Sequence, residues 1–474
     1  MMLELQSEAI GRRLVFATNP WEHQFRAIER AWPHPGFMFA MDMGTGKTKT
    51  TIDYICNMDF NTVLIVCPKA VIDVWPKEFA KHSTKDFDII PVSGRKNLTQ
   101  KTVDTERAVQ HAKMYNRPFV VIINYDSIWR EPFAHWATNM VRWDCAVADE
   151  SHKIKAPGGK ASYFMYRLSK CVPNRIALTG TPMPHSPLDI YAQYRFVDSR
   201  VFPPSFKAFR AHYAIMGGFQ NHQVIGFRNQ AELNERFESI SYRVKSEDVL
   251  DLPEFFDQEI EVELSPKAKK IYDAMSKDLI AEIDGGSVTA ANAMVKLLRL
   301  QQITSGNLRP DDCENYQVVD TAKEDALAEL VDNLDPKEPL VVFVRFTEDA
   351  RRVAKAIKKV RGGNVALLTG QADERTAFLN GDASAIVCNI RSGGTGVDGL
   401  QNLARYCIYY SMGFSLGDYE QSRKRVHRAG QKRRVFYYHI VAKGTVDKRV
   451  YSGLGARKDV INYILEGVKQ EGTL

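Results

Sequence analysis

The chain has 474 residues, 44% apolar and 26% charged, and its 64 Lys and Arg against 57 Asp and Glu give a net charge of +7. That length exceeds one compact core and predicts two to four domains, while the mild positive charge permits a polyanionic partner without requiring one. No apolar run reaches the ~18 residues that span a bilayer, and the opening MMLELQSEAIGRR lacks the apolar segment of a signal peptide, so a cytoplasmic location is expected, in a bacterium or a viral host, or a nuclear one in a eukaryote.

In chain order, short apolar runs rich in β-branched residues alternate with helix-like stretches. The first series is FMFAM (37–41), TVLIVC (62–67), FVVIIN (119–124), CAVAD (145–149) and RIALTG (175–180). The second is LVVFVRF (340–346), VALLTG (365–370), AIVCNI (385–390), YCIYY (406–410) and VFYYHIV (435–441). Runs apolar throughout predict strands buried on both faces, the habit of parallel sheets, so two series predict two α/β lobes. The stretch from about 195 to 335 reads as mostly helical: Ile271, Met275, Leu279 and Ile283 share one helical face, as do Met294, Leu297, Leu298 and Gln301. DLPEFF (251–256) is the expected crossing between lobes. The seven cysteines are scattered without a C-x-x-C pair, which predicts buried thiols in a reducing compartment rather than disulfides or zinc.

Chemistry enters at MGTGKT (43–48), which follows one apolar run and precedes a helical stretch, the context of a phosphate-binding loop. Gly44, Thr45 and Gly46 let the backbone curl so that successive N–H groups face phosphate oxygens. Lys47 supplies a positive charge for the β- and γ-phosphates of ATP, and Thr48 a hydroxyl for Mg²⁺. The fuller pattern has Gly where this chain has Met41. About a hundred residues on, CAVADESH ends a buried run with Asp149 and Glu150. A carboxylate there can hold Mg²⁺ through its water shell, and its neighbour can orient and deprotonate an attacking water.

The stretch QSRKRVHRAGQKRR (421–434) has seven Lys or Arg and no acid. Spacing of i, i+4 and i+7 places Gln421, Arg425 and Arg428 on one face of a helix that Gly430 can end. That aims two arginines one way, as arginine fingers toward the γ-phosphate, which can raise the rate by ~10³–10⁵. Lys424, Lys432, Arg433 and Arg434 are left to solvent or to a phosphate backbone, with a localisation signal as the competing reading.

With these residues in hand, the chain resembles the Swi/Snf-type ATPases of helicase superfamily two over almost its whole length. NPWEHQFRAIERA looks like the adenine-reading segment, with Gln24 as the base contact. LIVCPKAVIDVWPKEF, DESH with His152 at the coupling position, LTGTP with Thr179, Gly180 and Thr181, RSGGTGVDGLQ with Gly396 and Asp398 beside the nucleotide, and QSRKRVHRAGQ resemble further motifs of that family. RVHRAGQ is the most specific; RNA-directed DEAD-box enzymes usually end that motif in Gly-Arg. GTPMPHSPLDIYAQYRFV is most similar to the annealing-helicase-like branch. One stretch departs: Phe414-Ser415-Leu416 stands where the family usually has Trp-Asn-Pro, which bears on coupling between lobes.

The resemblance implies two RecA-like parallel-sheet lobes with helical insertions between and upon them. The expected parts are an ATP-binding lobe at 1–250 with a helical protrusion from about 195, a connecting segment and helical protrusion at 251–335, and a C-terminal lobe at 336–474. It also implies an ATP hydrolase, using ATP and Mg²⁺, that moves as a monomer along double-stranded DNA. Backbone contacts are expected from Lys69 in the first lobe and from Thr369, Gly370, Ser392 and Gly393 in the second, with ordinary loop roles as the competing reading; Trp75 reads as core. The chain is nearly all motor, which predicts a minimal machine without reader, zinc or nuclease modules. Two other functions stay open: a strand-separating helicase or restriction-type motor subunit, and a nucleotide-gated DNA clamp with little turnover.

Overall fold

The apolar runs build two sheets, each parallel throughout. The protein is described by a computed structural model that covers residues 2–184, 186–217, 223–284, 290–308, 316–390, 399–456, 460, 463, 464 and 468. The chain divides into two units, Met1–Leu250 and Asp251–Leu474.

Among the described residues the first unit holds eleven strands: β1 (Leu3–Ser7), β2 (Arg12–Phe16), β3 (Gly36–Met41), β4 (Thr62–Cys67), β5 (Asp88–Pro91), β6 (Phe119–Asn124), β7 (Cys145–Asp149), β8 (Asn174–Leu178), β9 (Ala214–Gly217), β10 (Gln223–Phe227) and β11 (Ser241–Val244). Seven of them form one sheet in the order β11-β3-β8-β7-β4-β6-β5, and every neighbouring pair is parallel. All six residues of β3 and all five of β7 are buried, because helices cover both faces. Since the strands run one way, the loops after β3, β4, β7 and β8 emerge at one edge of the sheet, where open α/β sheets place their ligands.

The second unit holds β12 (Phe255–Val262), β13 (Asn307–Leu308), β14 (Gln317–Val318), β15 (Leu340–Val344), β16 (Val365–Leu368), β17 (Ala385–Asn389), β18 (Tyr406–Tyr409) and β19 (Val435–Ala442). Six form a parallel sheet in the order β12-β19-β18-β15-β17-β16. Its central strand β15 faces two cores. Val341 and Phe343 pack in one cluster with Leu297, Leu300 and Ile303 of helix Ala290–Thr304. Leu340, Val342 and Val344 pack with Leu327 and Val331 of helix Ala322–Asn333 and Val353 and Ile357 of helix Thr347–Arg361.

The stretch from 195 to 335 is less helical than its sequence pattern predicts. It contains the antiparallel pairs β9–β10 and β13–β14, and it supplies β11 and β12, each the edge strand of a main sheet. An edge strand with one solvated face does not show the continuous apolar run used to find the central ones. Five cysteines are buried as free thiols, Cys171 is a free thiol at the surface rather than in the core, and Cys313 lies outside the described residues. Among the described residues no helix is long and apolar enough to cross a membrane.

Candidate active site

The loop after β3 folds as a phosphate cradle. Gly44 and Gly46 sit at φ +83° and +84°, where a side chain is strained. Helix Lys47–Asn57 starts directly behind Gly46. The Thr45 hydroxyl donates to the Asp42 carbonyl at 2.7 Å, and the Lys47 ammonium to the same oxygen at 3.2 Å. The Asp42 carboxylate accepts from the Ser246 amide and hydroxyl, tying the loop to the residues that follow β11. Within the helix, the Thr50 and Thr51 hydroxyls bond back to Gly46 and Lys47 carbonyls. The half-buried Thr48 hydroxyl alone of this threonine set makes no hydrogen bond among the described residues, leaving it open to a ligand.

Gln24, expected at the adenine, is buried behind the loop. Its amide nitrogen donates to the Thr45 carbonyl at 3.1 Å and its oxygen accepts from the Trp21 amide at 3.0 Å. His23 reaches the same Thr45 carbonyl at 2.9 Å. Trp21, 44% exposed, completes this wall and was not anticipated from the sequence.

Asp149 ends β7 and is buried, with its carboxylate accepting from Trp75 Nε1 at 3.2 Å. Its carboxyl is held well above the usual carboxylate range, first by burial and then by the neighbouring Glu150, against pulls from the Lys47 ammonium and the Trp75 N–H. A buried acid held in this way is stabilised as a carboxylate by an added cation. Asp149 and the open Thr48 hydroxyl therefore fit Mg²⁺, an ion that keeps several waters and takes few protein ligands. Among the described residues no cluster of three or more His, Cys, Asp or Glu offers an alternative metal site. Glu150 sits at φ +52°, uncommon for a residue with a side chain and costing of order 1–3 kcal/mol, a strain that clusters at functional positions.

His152 places Nδ1 3.3 Å from Glu150 Oε2 and 3.5 Å from the Thr179 hydroxyl, so the two coupling segments meet at this histidine. The Thr181 amide donates to the Thr179 hydroxyl. Gly180 lies against the phosphate loop: a Cβ there would stand 3.4 Å from the Met43 nitrogen. Gln193, fully buried in helix Ile190–Val197, accepts from Ser151 at 2.7 Å and donates to the Pro182 carbonyl at 2.7 Å. Sequence reasoning missed this bridge; its signal was one amide inside the apolar run IYAQYRFV. Lys69 is exposed in the short turn Lys69–Val71 after β4.

In the second unit the single-helix reading of the basic stretch fails. Helix Leu416–Arg423 stops at Arg423, and tight turns carry the chain through Arg425 and Arg428 to Gly430, so the three residues do not share one helical face. Tertiary contacts decide this. The Ser422 hydroxyl is held by Tyr409, Arg423 makes a two-pronged ion pair with Asp257 at 2.8 Å, and Val426 is drawn fully into the core. Gly430, at φ +98°, serves a turn rather than a helix end. Gln421 and Arg425 are buried and Arg428 half-buried. The departing stretch keeps the local physics: Phe414 is buried with the Arg345 guanidinium 5.4 Å from its ring centroid, and Ser415 caps the helix by accepting from the Asp418 amide. The Thr369 hydroxyl accepts from the Gln371 and Ala372 amides, and Gly370 is exposed with open space where a side chain would be. Ser392, Gly393, Gly396 and Asp398 lie outside the described residues.

A parallel sheet with a lysine-bearing phosphate loop after one strand and an acid pair ending another defines a nucleoside-triphosphatase of the P-loop class. The model of the SNF2-related domain matches residues 2–307, and that of the helicase conserved C-terminal domain matches 322–430. The chain belongs to the SNF2-related family of helicase-like ATPases. It is 27% identical to "Putative protein p41" of Acyrthosiphon pisum secondary endosymbiont phage 1, over 90% of this chain and 94% of that protein. It is 26% identical to the "Probable global transactivator" of Orgyia pseudotsugata multicapsid polyhedrosis virus, over 90% of this chain and 86% of that one. Among solved structures it is similar to the Sulfolobus solfataricus SWI2/SNF2 ATPase core in complex with dsDNA, with 22% identity, 96% of each chain covered and a TM-score of 0.43.

Proposed function

We propose that this protein is a DNA-dependent ATPase that translocates on double-stranded DNA, with one ATP-binding unit (1–250) and one C-terminal motor unit (336–474) joined through 251–335. The observation that carries the reading is the convergence in one unit of Lys47, Asp149 and Glu150, with the Lys47 charge acting on the buried Asp149 carboxylate. In the proposed cycle the loop amides of Gly44 to Lys47 and the Lys47 ammonium bind the β- and γ-phosphates of ATP, while Gln24 and the wall around it face the base. Thr48 and Asp149 would hold Mg²⁺, which would supply positive charge to offset that of the ATP phosphates. Glu150 orients the attacking water and accepts its proton; His152 and Thr179 to Thr181 register the change at Glu150. Gln421, Arg425 and Arg428, with Gly396 and Asp398, are the proposed nucleotide-contacting residues of the C-terminal unit, the arginines acting on charge that develops on the γ-phosphate.

Opening and closing on ATP steps the protein along the duplex if each unit grips the backbone. Lys69, Thr369, Gly370, Ser392 and Gly393 are the proposed grips, and such contacts are sequence-independent and weaken with salt. The test is steady-state ATP hydrolysis at one salt concentration with no nucleic acid, duplex DNA, single-stranded DNA and duplex RNA. Strong stimulation by duplex DNA, lost in Lys47→Ala and Arg428→Ala, supports the reading. Stimulation by single strands alone assigns a strand-separating helicase instead, and stimulation by none of them points to a clamp.

A further inference from the structure

Trp75 does more than fill the core. Its indole has no exposed surface and begins helix Trp75–His82, tilted against Phe79 at a centroid distance of 6.1 Å. A buried indole N–H needs an acceptor, and many carbonyl oxygens could serve. Here the acceptor is the Oδ2 atom of Asp149, at 3.2 Å, on a different strand's end. The Tyr125 hydroxyl holds the same residue from its backbone side, donating to the Asp149 carbonyl at 2.7 Å. Trp75 Nε1 and the Glu150 amide both donate to the Asp149 carboxylate, and Tyr125 holds its backbone, so the side chain has little freedom to rotate.

We infer that Trp75 is a positioning residue, which fixes the Asp149 carboxylate in the orientation that receives a hydrated divalent cation at the nucleotide. The inference rests on the reading of Asp149 as a metal-holding acid and adds the group that orients it. Partners that orient a metal ligand usually matter by about 10–100-fold in metal affinity.

The experiment replaces Trp75 with β-(3-benzothienyl)alanine, which keeps the shape of the ring and puts sulfur where the N–H was, alongside Trp75→Phe. Binding of ADP is measured by calorimetry in EDTA and in Mg²⁺, with circular dichroism and a thermal melt on each protein. The expected result is unchanged ADP affinity in EDTA and a Mg²⁺-dependent gain about tenfold smaller than in the wild type. A benzothienyl variant with the full Mg²⁺-dependent gain overturns the inference and leaves Trp75 a packing residue. A wild type whose ADP affinity ignores Mg²⁺ removes the metal reading of Asp149, and the inference with it. Where neither variant folds, the nitrogen-labelled indole resonance of wild-type Trp75 decides: it shifts when Mg²⁺ joins the ADP complex, and a stationary resonance overturns the inference.

Discussion

Gly46→Ala should damage the first unit by two separable routes. Gly46 sits at φ +84°, and a left-handed conformation costs an L-residue roughly 1–2 kcal/mol. A methyl there would also stand 2.1 Å from Gln24 Nε2, so the amide must leave. Its departure breaks the bonds to the Thr45 carbonyl and from the Trp21 amide, each worth about 0.5–1.5 kcal/mol. Together these give a loss of about 2–5 kcal/mol, or roughly 5–15 °C in the melting of a unit this size. Gly94→Ala is the internal control: φ is +90° but nothing lies within 4 Å of the new methyl, so only the conformational cost of about 1–2 kcal/mol applies. Denaturant titration of the two variants reads the difference. Equal losses would refute the claim that Gly46 is reserved for Gln24, and a Gly46→Ala protein as stable as wild type would refute the geometry of the loop.

Three further outcomes concern the second unit. His439 has no exposed surface, lies 2.9 Å from the Tyr419 hydroxyl and is stacked on Tyr409, and burial with the nearby Arg423 charge lowers its pKa to about 3. The unfolded chain then binds the extra proton below about pH 6.5, so acidification destabilises the unit, by about 2 kcal/mol at pH 5; His439→Gln should lose that part of the difference between unfolding curves at pH 7 and pH 5. Asp447 is buried against Lys323 and accepts from Thr304 at 2.9 Å. Asp447→Asn should cost about 3–5 kcal/mol in denaturant titration by stranding a buried ammonium, and the double variant Lys323→Met/Asp447→Leu should cost less. Ser415→Ala should lower stability by about 1 kcal/mol through loss of the helix cap, whereas Ser415→Asn, the residue usual in the family, should stay within about 0.5 kcal/mol of wild type in the same assay.

What the sequence made legible follows from burial. Strands β4, β6 and β7 are buried on both faces, and their apolar runs marked their bounds; β3 and β8 each start one residue earlier than their runs. Edge strand β12 was hidden because Asp257, Glu259 and Glu261 occupy alternate positions, where Arg423 and Lys448 pair with them. That alternation is the mark of a half-buried strand, masked by its high charge. The phosphate loop and the acid pair could be read because their chemistry fixes residue types within a few positions of chain. The orienting contacts could not: Trp75 and Asp149, or Ser151 and Gln193, are far apart in sequence and meet only through the order of the sheet. The basic stretch misled through periodicity, since i, i+4 and i+7 spacing survives in turns that Arg423 and Val426 have pulled out of helical geometry.

The central claim is movement along duplex DNA driven by ATP, and displacement of a labelled third strand from a DNA triplex tests it most directly. The account predicts that wild-type protein with ATP releases the third strand from a blunt duplex, without separating the duplex strands. It predicts no release with Glu150→Gln or with ADP. Hydrolysis stimulated by duplex DNA but no displacement at any protein concentration would contradict translocation and leave a stationary, DNA-activated ATPase.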